Sequence, residues 1–394
     1  MLASLSPLAG IERVSLTRAL GRALAEEVFA PYDLPPFPNS AMDGYALRHR
    51  DIEPYGKAGL EVIGTSFAGR PYPDAIESGQ CVRIFTGAAM PRGADSVVMQ
   101  EHVRRDASHI RLTRPVQPQV NVRPAGDEIQ AGGRLLEQGR RLRAADVGVL
   151  ASAGFSEVSV VRKLRVAFFS TGDELRPVAE PLDFGQIHDS NRYTLHGLLH
   201  DPAIEAIDLG LVSDDPVELK RVLLDASVQA DAIISSGGVS VGDADFVTGA
   251  LAELGRVEFW KVAVKPGKPF AFGRIGQSWF FGLPGNPVAV MVIYLQLVRP
   301  ALLRLMGAEP CPPLRLPATC RSSLKKSPGR MEFQRGLFAS DGQGGLAVTG
   351  CPAQGSHQLL GLSQANCFIV LPAESVGVQA GDNVVIEPFL EGFA

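Results

Sequence analysis

The sequence predicts a multidomain protein in which a central, doubly wound α/β domain of three layers is flanked by small all-β domains. The chain has 394 residues, which is more than one hydrophobic core usually organises. From about residue 164 to residue 307, apolar strand-like runs are each followed by a turn and a helical stretch, as in parallel βα units. On both sides of this region, short strand-like runs alternate with Gly and Pro, which is typical of small barrels or sandwiches.

Composition excludes several classes of protein. Hydrophobic residues make up 45% of the chain and charged residues 20%, which indicates a globular protein rather than a disordered one. The net charge of −4 argues against a dedicated nucleic-acid binder. The longest apolar run, Val288 to Leu295, is too short to span a membrane, and no signal segment opens the chain, so we expect a cytoplasmic protein without a membrane partner.

The first 162 residues predict two helices around a β-rich stretch. Apolar spacing predicts a helix over 11–29, and the prolines of 31–38 predict an extended linker with a domain boundary near residue 40. Residues 140–154 predict a second helix that ends at Gly154, followed by a strand in SEVSVV. Between them, strands are predicted in LEVIG, CVRIF, SVVMQEHV and HIRLT.

The rest of the chain predicts the α/β domain and then a C-terminal β-domain. The buried-type strands of the α/β domain are RVAFFS, AIDLGLV, DAIISS and SWFFGL. Beyond Pro310, strands are predicted in GLFAS, GLAVTG, CFIVLP and NVVIEPF.

Ligands of open α/β sheets bind outside the carboxyl ends of the strands, and the turns at those ends are chemically rich. Glu174, Asp214 and Asp245 follow three different strands and would repel one another at one edge of the sheet. A cation should compensate them, and hard oxygen ligands beside a phosphate site favour Mg²⁺. Alternatively, Asp214 is an N-cap residue of the helix that follows, a role that needs no ligand.

Two further segments at this edge predict anion binding. The turn SSGGVSVGD resembles a nest of backbone N–H groups for a phosphate, although a strand-to-helix turn capped by Asp243 explains it about equally well. In WKVAVKPGKP, Lys261, Ala263 and Lys265 would share one face of a strand. A solvated edge strand is the alternative there, but the neighbouring acidic turns favour an oxyanion site.

These segments, with others, resemble the MoeA family of molybdopterin molybdenumtransferases, whose relatives include plant Cnx and the E domain of animal gephyrin. The similarity covers about residue 10 to the end. The matching segments are PNSAMDGYA (38–46), FTGA (85–88), STGDEL (170–175), SSGGVSVG (235–242), KPGKP (265–269) and GLPGNP (282–287).

The resemblance implies a fold and a reaction. The fold would comprise an elongated N-terminal domain (1–40 with 129–162), an inserted β-domain (41–128), a molybdopterin-binding α/β domain (163–309) and a C-terminal β-barrel (310–394). The reaction would convert adenylylated molybdopterin and molybdate into molybdenum cofactor and AMP, with Mg²⁺ assisting phosphoanhydride cleavage. The family also implies a homodimer with an active site shared between subunits, and possible contact with the molybdopterin adenylyltransferase.

The resemblance also implies site residues. Asp43 and Thr86 would act from the β-domain of the partner subunit, and Glu174, Asp214 and Asp245 would hold Mg²⁺ or position substrate. Substrate and oxyanion contacts would come from Lys261, Lys265, Lys268, Arg123, Asp189, Gly237, Gly238, Ser240, Arg335 and Ser356. Pro284 and Pro287 would shape the loop between a strand and the next helix.

The sequence departs from the family in two places. Glu128 stands where an Asp is usual, with Asp127 as a speculative substitute, and the N-terminus starts inside the usual first helix, which affects a contact between subunits. Alternatives are an adenylyltransferase, which would be about one domain long, a scaffold as in gephyrin, and a tungstate-preferring or inactive paralogue.

Overall fold

The structure, a computed structural model, describes residues 1–55, 57–238, 253–310 and 312–389, and only the backbone of residues 257–260. Short strands dominate the first 162 residues. They are β1 (Ile11–Ser15), β2 (Val28–Phe29), β3 (Asn39–Ser40), β4 (Gly44–Leu47), β5 (Leu60–Ser66), β6 (Gln80–Ile84), β7 (Ser96–Met99), β8 (Val103–Asp106), β9 (His109–Leu112), β10 (Val122–Arg123), β11 (Arg134–Leu136) and β12 (Glu157–Val161). The helices here are α1 (Leu16–Ala19), α2 (Ile52–Tyr55) and α3 (Ala144–Ser152).

The predicted long helix over residues 11–29 is wrong. Its first residues form β1, which pairs antiparallel with β12, and only Leu16–Ala19 is helical. Gly21 then turns the chain with φ of +76°, a conformation that glycine adopts without the strain imposed on other residues. Leu16, Ala19, Leu24 and Val28, which suggested a helix, are buried all the same in a core shared with β12 and α3, whereas Leu20 is exposed. The pairing of β1 with β12 therefore outweighs the local preference for a helix that the spacing of the apolar residues indicates.

The other elements predicted for the first 162 residues agree better with the structure. The second predicted helix exists as α3, but it starts at Ala144 because Arg141 forms a β-bridge to Ala23. SEVSVV contains β12, and the four strands predicted between residues 60 and 113 all form. They belong to a six-stranded sheet with the order β7-β4-β6-β5-β9-β8.

The α/β unit follows. Its elements are β13 (Leu164–Thr171), β14 (Leu175–Arg176), β15 (Ile187–His188), α4 (Asn191–Leu198), β16 (Ile204–Val212), α5 (Pro216–Gln229), β17 (Ala232–Ser236), β18 (Gly255–Lys261), β19 (Val264–Lys265), β20 (Pro269–Ile275), β21 (Ser278–Leu283), α6 (Pro287–Ile293) and α7 (Arg299–Leu305). The sheet order is β16-β13-β17-β21-β20-β18, with the first four strands parallel. Apolar clusters lie on both faces of the sheet, so the predicted three-layer architecture is confirmed.

One helical run, Pro287–Leu305, joins α6 and α7 through a π-helical segment, Tyr294–Val298. By length and composition alone this run of 19 residues could cross a membrane. In the structure most of it is buried in the core of the α/β unit.

The last part of the chain is a barrel. Its elements are β22 (Leu316–Cys320), β23 (Leu324–Lys325), β24 (Met331–Ser340), β25 (Leu346–Gly350), α8 (Leu359–Ser363), β26 (Cys367–Leu371), β27 (Gly377–Val378) and β28 (Asn383–Pro388). The order β24-β25-β22-β28-β26 closes because β26 also pairs with β24. Closure leaves no open edge on these five strands, and the predicted C-terminal barrel is confirmed.

The predicted single strand through Lys261, Ala263 and Lys265 is wrong. β18 ends at Lys261 in the α/β sheet, whereas β19 pairs with β24 of the barrel. The segment therefore connects the two units, and its lysines do not share a strand face.

Candidate functional site

A cleft of about 800 Å³ opens at the carboxyl edge of the parallel strands, between the α/β unit and the barrel. The turns after β13, β16, β17 and β21 supply one wall, together with the segment that precedes β20. Barrel residues 330–334 and 354–356 supply the opposite wall. This is the position at which open α/β sheets bind ligands.

The strand order determines how charge is distributed along the cleft. Asp214 follows the edge strand β16, and Glu174 follows its neighbour β13. Lys265 and Lys268 precede β20, on the far side of β17 and β21. Among the described residues, the cleft thus has an acidic end and a basic end, separated by the turns that follow β17 and β21.

Glu174 and Asp214 form the acidic end. Thr171 donates its hydroxyl hydrogen bond to Asp214 Oδ1, and among the described residues neither carboxylate has an ion-pair partner. The part of the chain that is described holds no group of three or more His, Cys, Asp or Glu suited to a metal. The third predicted acid, Asp245, lies outside the described residues. Two carboxylates nevertheless suit Mg²⁺, which usually takes one or two from the protein and further oxygens from phosphates and water.

The turn after β17 lies at the middle of the cleft. Gly237 has φ of +94°, and a Cβ there would come within 2.2 Å of the Thr171 carbonyl oxygen, so only glycine fits this close approach. Asn191, the first residue of α4, donates from Nδ2 to Ser236 Oγ at 2.8 Å and to the Gly285 carbonyl at 2.7 Å. Gly237 and Gly238 line the cleft as predicted, whereas Ser240 falls outside the described residues.

The basic end combines cations from both units. Lys265 Nζ lies 3.1 Å from Oε1 of Glu332, whose side chain is 7% exposed. Lys268 and Arg330 also line the cleft, and no described residue pairs with either side chain. Ser356 adds a hydroxyl whose hydrogen-bonding capacity is unused among the described residues. Two uncommitted cations and one hydroxyl make this end suitable for an oxyanion.

Arg335 does not stand where the sequence predicted. It is 1% exposed, and its guanidinium donates to the carbonyl oxygens of Ala353 (2.9 Å from Nε) and Gly355 (3.2 Å from Nη1). Burial lowers the pKa of Arg335. Its donors hold the backbone that leads to Ser356, so the predicted contact with an oxyanion is replaced by a positioning role.

Other predicted residues fall into two groups. Pro284 and Pro287 line the cleft. Asp189 borders it but is fully buried and accepts from Ser170 Oγ and from the backbone and side chain of Arg192, so its carboxylate is committed to structure. Lys261 is exposed and is absent from the lining of the cleft.

Asp43 and Thr86 lie together on the inserted β-sheet unit and do not line the cleft of their own chain. Asp43 Oδ1 accepts from the backbone N of Thr86 at 2.8 Å and from its hydroxyl at 2.7 Å. These hydrogen bonds, with a smaller effect of the nearby Arg83, hold the pKa of Asp43 below its ordinary value. These contacts favour the carboxylate form of Asp43.

The other residues considered in the β-unit do not contribute to the cleft of this subunit. Arg123, Asp127 and Glu128 are exposed and do not line the cleft, and their side chains make no hydrogen bond or ion pair within the described chain. The exchange of the usual Asp for Glu128 therefore disturbs no contact made within this subunit.

Sequence reasoning missed Arg330 and Glu332. Both lie in GRMEFQRG, around the start of β24, and β19 pairs with the first residues of that strand. The alternating charges of Arg330 and Glu332, just ahead of the predicted site residue Arg335, were a usable signal. Only the pairing of β19 with β24 reveals that these charges face KPGKP.

Family models match most of the chain. Residues 1–154 match the MoeA N-terminal region (domain I and II), residues 167–304 match a probable molybdopterin-binding domain, and residues 317–389 match the MoeA C-terminal region (domain IV).

Individual relatives are similar over nearly their whole length. A molybdopterin molybdenumtransferase of Haemophilus influenzae is 44% identical over 380 residues, covering 96% of this chain and 94% of the relative. One from Nostoc is 38% identical, over 95% and 88% of the two chains. Among solved structures, a molybdopterin biosynthesis MoeA protein of Pyrococcus horikoshii superposes with a TM-score of 0.85 at 29% identity, over 98% and 97% of the two chains.

Proposed function

The chain belongs to the MoeA family of molybdopterin molybdenumtransferases, and we propose that it transfers molybdenum from molybdate to adenylylated molybdopterin with release of AMP. Its relatives carry the name molybdopterin molybdenumtransferase, which places them among the transferases of molybdenum cofactor biosynthesis. The substrates, the Mg²⁺ dependence and the homodimer are our proposals for this chain.

One observation supports the reaction most strongly: a single cleft offers, at its two ends, two carboxylates and two cations that have no ion-pair partner among the described residues. A phosphoanhydride needs its charge neutralised before it is cleaved, whereas molybdate, a dianion, needs cationic and hydroxyl donors. Both requirements are met within one volume of about 800 Å³, which is large enough for a nucleotide-sized ligand.

At the acidic end, the protein positions the phosphoanhydride. A bound Mg²⁺ would neutralise charge there, and Glu174 and Asp214 are the described carboxylates that would hold it. Thr171 orients Asp214 through its hydroxyl. The turn at Gly237 and Gly238 can bring backbone N–H groups close to a phosphate because no Cβ intervenes.

At the basic end, the protein binds the oxyanion. Lys268 and Arg330 supply charge, Ser356 supplies a hydroxyl donor, and Lys265 is held in place by Glu332. Because Glu332 neutralises one of these cations, the net charge of this end suits a dianion rather than a larger polyanion.

We further propose that Asp43 and Thr86 complete the site in a homodimer, acting on the cleft of the partner subunit. The hydrogen bonds that Thr86 donates to Asp43 favour its carboxylate form, which supports a role as a hydrogen-bond acceptor or metal ligand. Neither Asp43 nor Thr86 lines the cleft of its own chain, which favours action across an interface.

The test is AMP release by the purified protein from adenylylated molybdopterin with Mg²⁺, measured with molybdate, with tungstate and with neither. We expect release that requires an oxyanion, and Arg321→Gln, an exposed arginine of the barrel outside the cleft, serves as the control variant. Release that ignores the oxyanion, or binding of substrate without any release, would contradict the proposal.

A further inference from the structure

A second cavity, of about 290 Å³, lies where the α/β unit, the barrel and the N-terminal unit meet. Its apolar wall comes from both large units. The residues of this wall are Leu198, Pro202, Leu295, Pro313, Leu314, Phe368, Pro388 and Phe389. Phe368 and Phe389 pack edge to face with ring centroids 4.8 Å apart, so the wall includes a rigid aromatic corner.

Among the described residues around this cavity, the carboxylates have cationic partners and one arginine has none. Glu387 is 3% exposed, and its two oxygens accept from Arg315 at 2.9 Å and from Gln296 at 2.7 Å. Asp201 is paired with Arg141 and also caps a backbone N–H. Arg299 lines the mouth of the cavity with an exposed side chain, and no described residue forms an ion pair or hydrogen bond with it. Among the described residues, the acids are neutralised and one cation remains, which favours an anionic ligand.

The cavity is also connected to the cleft by two helices. α4 begins at Asn191 in the cleft and ends at Leu198 in the cavity, and the run from Pro287 to Leu295 connects the same two places. Each connection is about 12 Å long at the rise of an α-helix. Tyr294 links the far ends by donating its hydroxyl to the Leu198 carbonyl at 2.8 Å.

The second of these helices changes geometry at the cavity. Tyr294–Val298 is π-helical, and Tyr294, Leu295 and Gln296 of that segment line the cavity. Single π-turns within α-helices occur frequently at functional sites, since they shift the register of the side chains that follow.

We propose that this cavity is a second ligand site, that it takes a small carboxylate with an apolar, ring-sized body, and that it is coupled to the cleft. The volume is at the lower end of the range for small-molecule sites. The apolar body would lie against Phe368, Phe389 and Leu295, with the carboxylate at Arg299. The two shared helices carry the coupling, because a ligand between their far ends changes the position of Asn191 and Pro287.

Binding is tested with benzoate as the probe and benzamide as its neutral counterpart, using calorimetry on the intact protein. We expect benzoate to bind about tenfold more tightly than benzamide, and Arg299→Gln to remove that preference. Arg321→Gln, an exposed arginine elsewhere on the barrel, should leave it unchanged. Equal binding of both probes, or a preference that survives in Arg299→Gln, would overturn the site.

Coupling is tested separately by measuring molybdate binding with and without saturating benzoate. We expect each ligand to change the affinity of the other by the same factor, because coupling between two sites is reciprocal. Simple competition, in which molybdate displaces benzoate completely, would place the probe in the cleft and overturn the proposal, and independent binding would overturn the coupling. None of these measurements requires turnover. The coupling test rests on the proposed binding of molybdate in the cleft, whereas the comparison of benzoate with benzamide does not, so a failure of the one proposal is distinguishable from a failure of the other.

Discussion

The cleft and the Asp43–Thr86 surface carry the same kinds of polar groups but are built in different ways. In the cleft, buried side chains hold the walls: Arg335 fixes one loop and Asn191 joins two turns. On the β-unit, the partly exposed Asp43 carboxylate accepts hydrogen bonds from Thr86 and from no other described residue. A site that is rigid on one wall and solvent-facing on the other is what two subunits would complete on association.

The acidic end should show the largest effect. We expect Glu174→Gln or Asp214→Asn to lower kcat for AMP release at least about a hundredfold, because either change weakens stabilisation of the phosphoanhydride's charge. Asp215→Asn is the matched control, since Asp215 lies beside Asp214 but caps α5. Stability should be unchanged in all three variants. Full activity of Asp214→Asn would remove that residue from the site.

Substitution of Lys265 should have the next largest effect on turnover. Lys265→Met should reduce turnover about tenfold or more and destabilise the fold by about 1 to 2 kcal/mol, because buried Glu332 loses its ion-pair partner and keeps only the hydrogen bond from Gln334 among the described residues. Lys261→Met, outside the cleft, should change neither quantity. In the double variant with Glu332→Gln, denaturant unfolding should recover while turnover stays low. Recovery of both would make the ion pair purely structural.

A variant of Arg335 distinguishes a positioning role of this residue from direct contact with the oxyanion. Arg335→Lys keeps the charge but loses the planar fork that reaches Ala353 and Gly355. We expect a loss of about 2 kcal/mol in the free energy of unfolding and a several-fold rise in KM for molybdate. A rise in KM at unchanged stability would instead indicate that Arg335 contacts the oxyanion.

The smallest expected effect is a shift in the pH dependence of kcat/KM. Hydrogen bonds from Thr86 lower the pKa of Asp43, so its anion persists as pH falls until the pH reaches that lowered value. Thr86→Val removes the hydroxyl donor, which raises the pKa and should move the acid limb of kcat/KM to higher pH. Thr349→Val, an exposed barrel position, should not move it. An unchanged limb would mean that ionisation of Asp43 does not limit the reaction.

The sequence predicts the α/β unit and its functional edge well, because parallel strands place every carboxyl end on one side. Glu174, Asp214, Gly237 and Lys265 were found from this rule and from motifs, and all line the cleft. The barrel strands were also found, since alternating short runs bounded by Gly and Pro have few other interpretations.

What the sequence did not reveal depends on contacts between distant segments. The helix over 11–29 was mistaken because pairing with β12 is invisible to local spacing. Arg330 was missed and Arg335 was assigned to the oxyanion, because only burial distinguishes these two arginines, which lie close together in the sequence. Where side chains from two units meet, periodicity within either unit carries no information about the pairing.

The central claim is that one active site combines the cleft of one subunit with Asp43 of the other, and mixed dimers test it directly. Asp43→Asn and Asp214→Asn are co-expressed with different tags, and the mixed dimer is purified and assayed for molybdate-dependent AMP release. Each parent dimer should be nearly inactive. The mixed dimer should recover about half of the native rate, because one of its two sites has both residues intact. A mixed dimer as inactive as its parents would contradict the shared site.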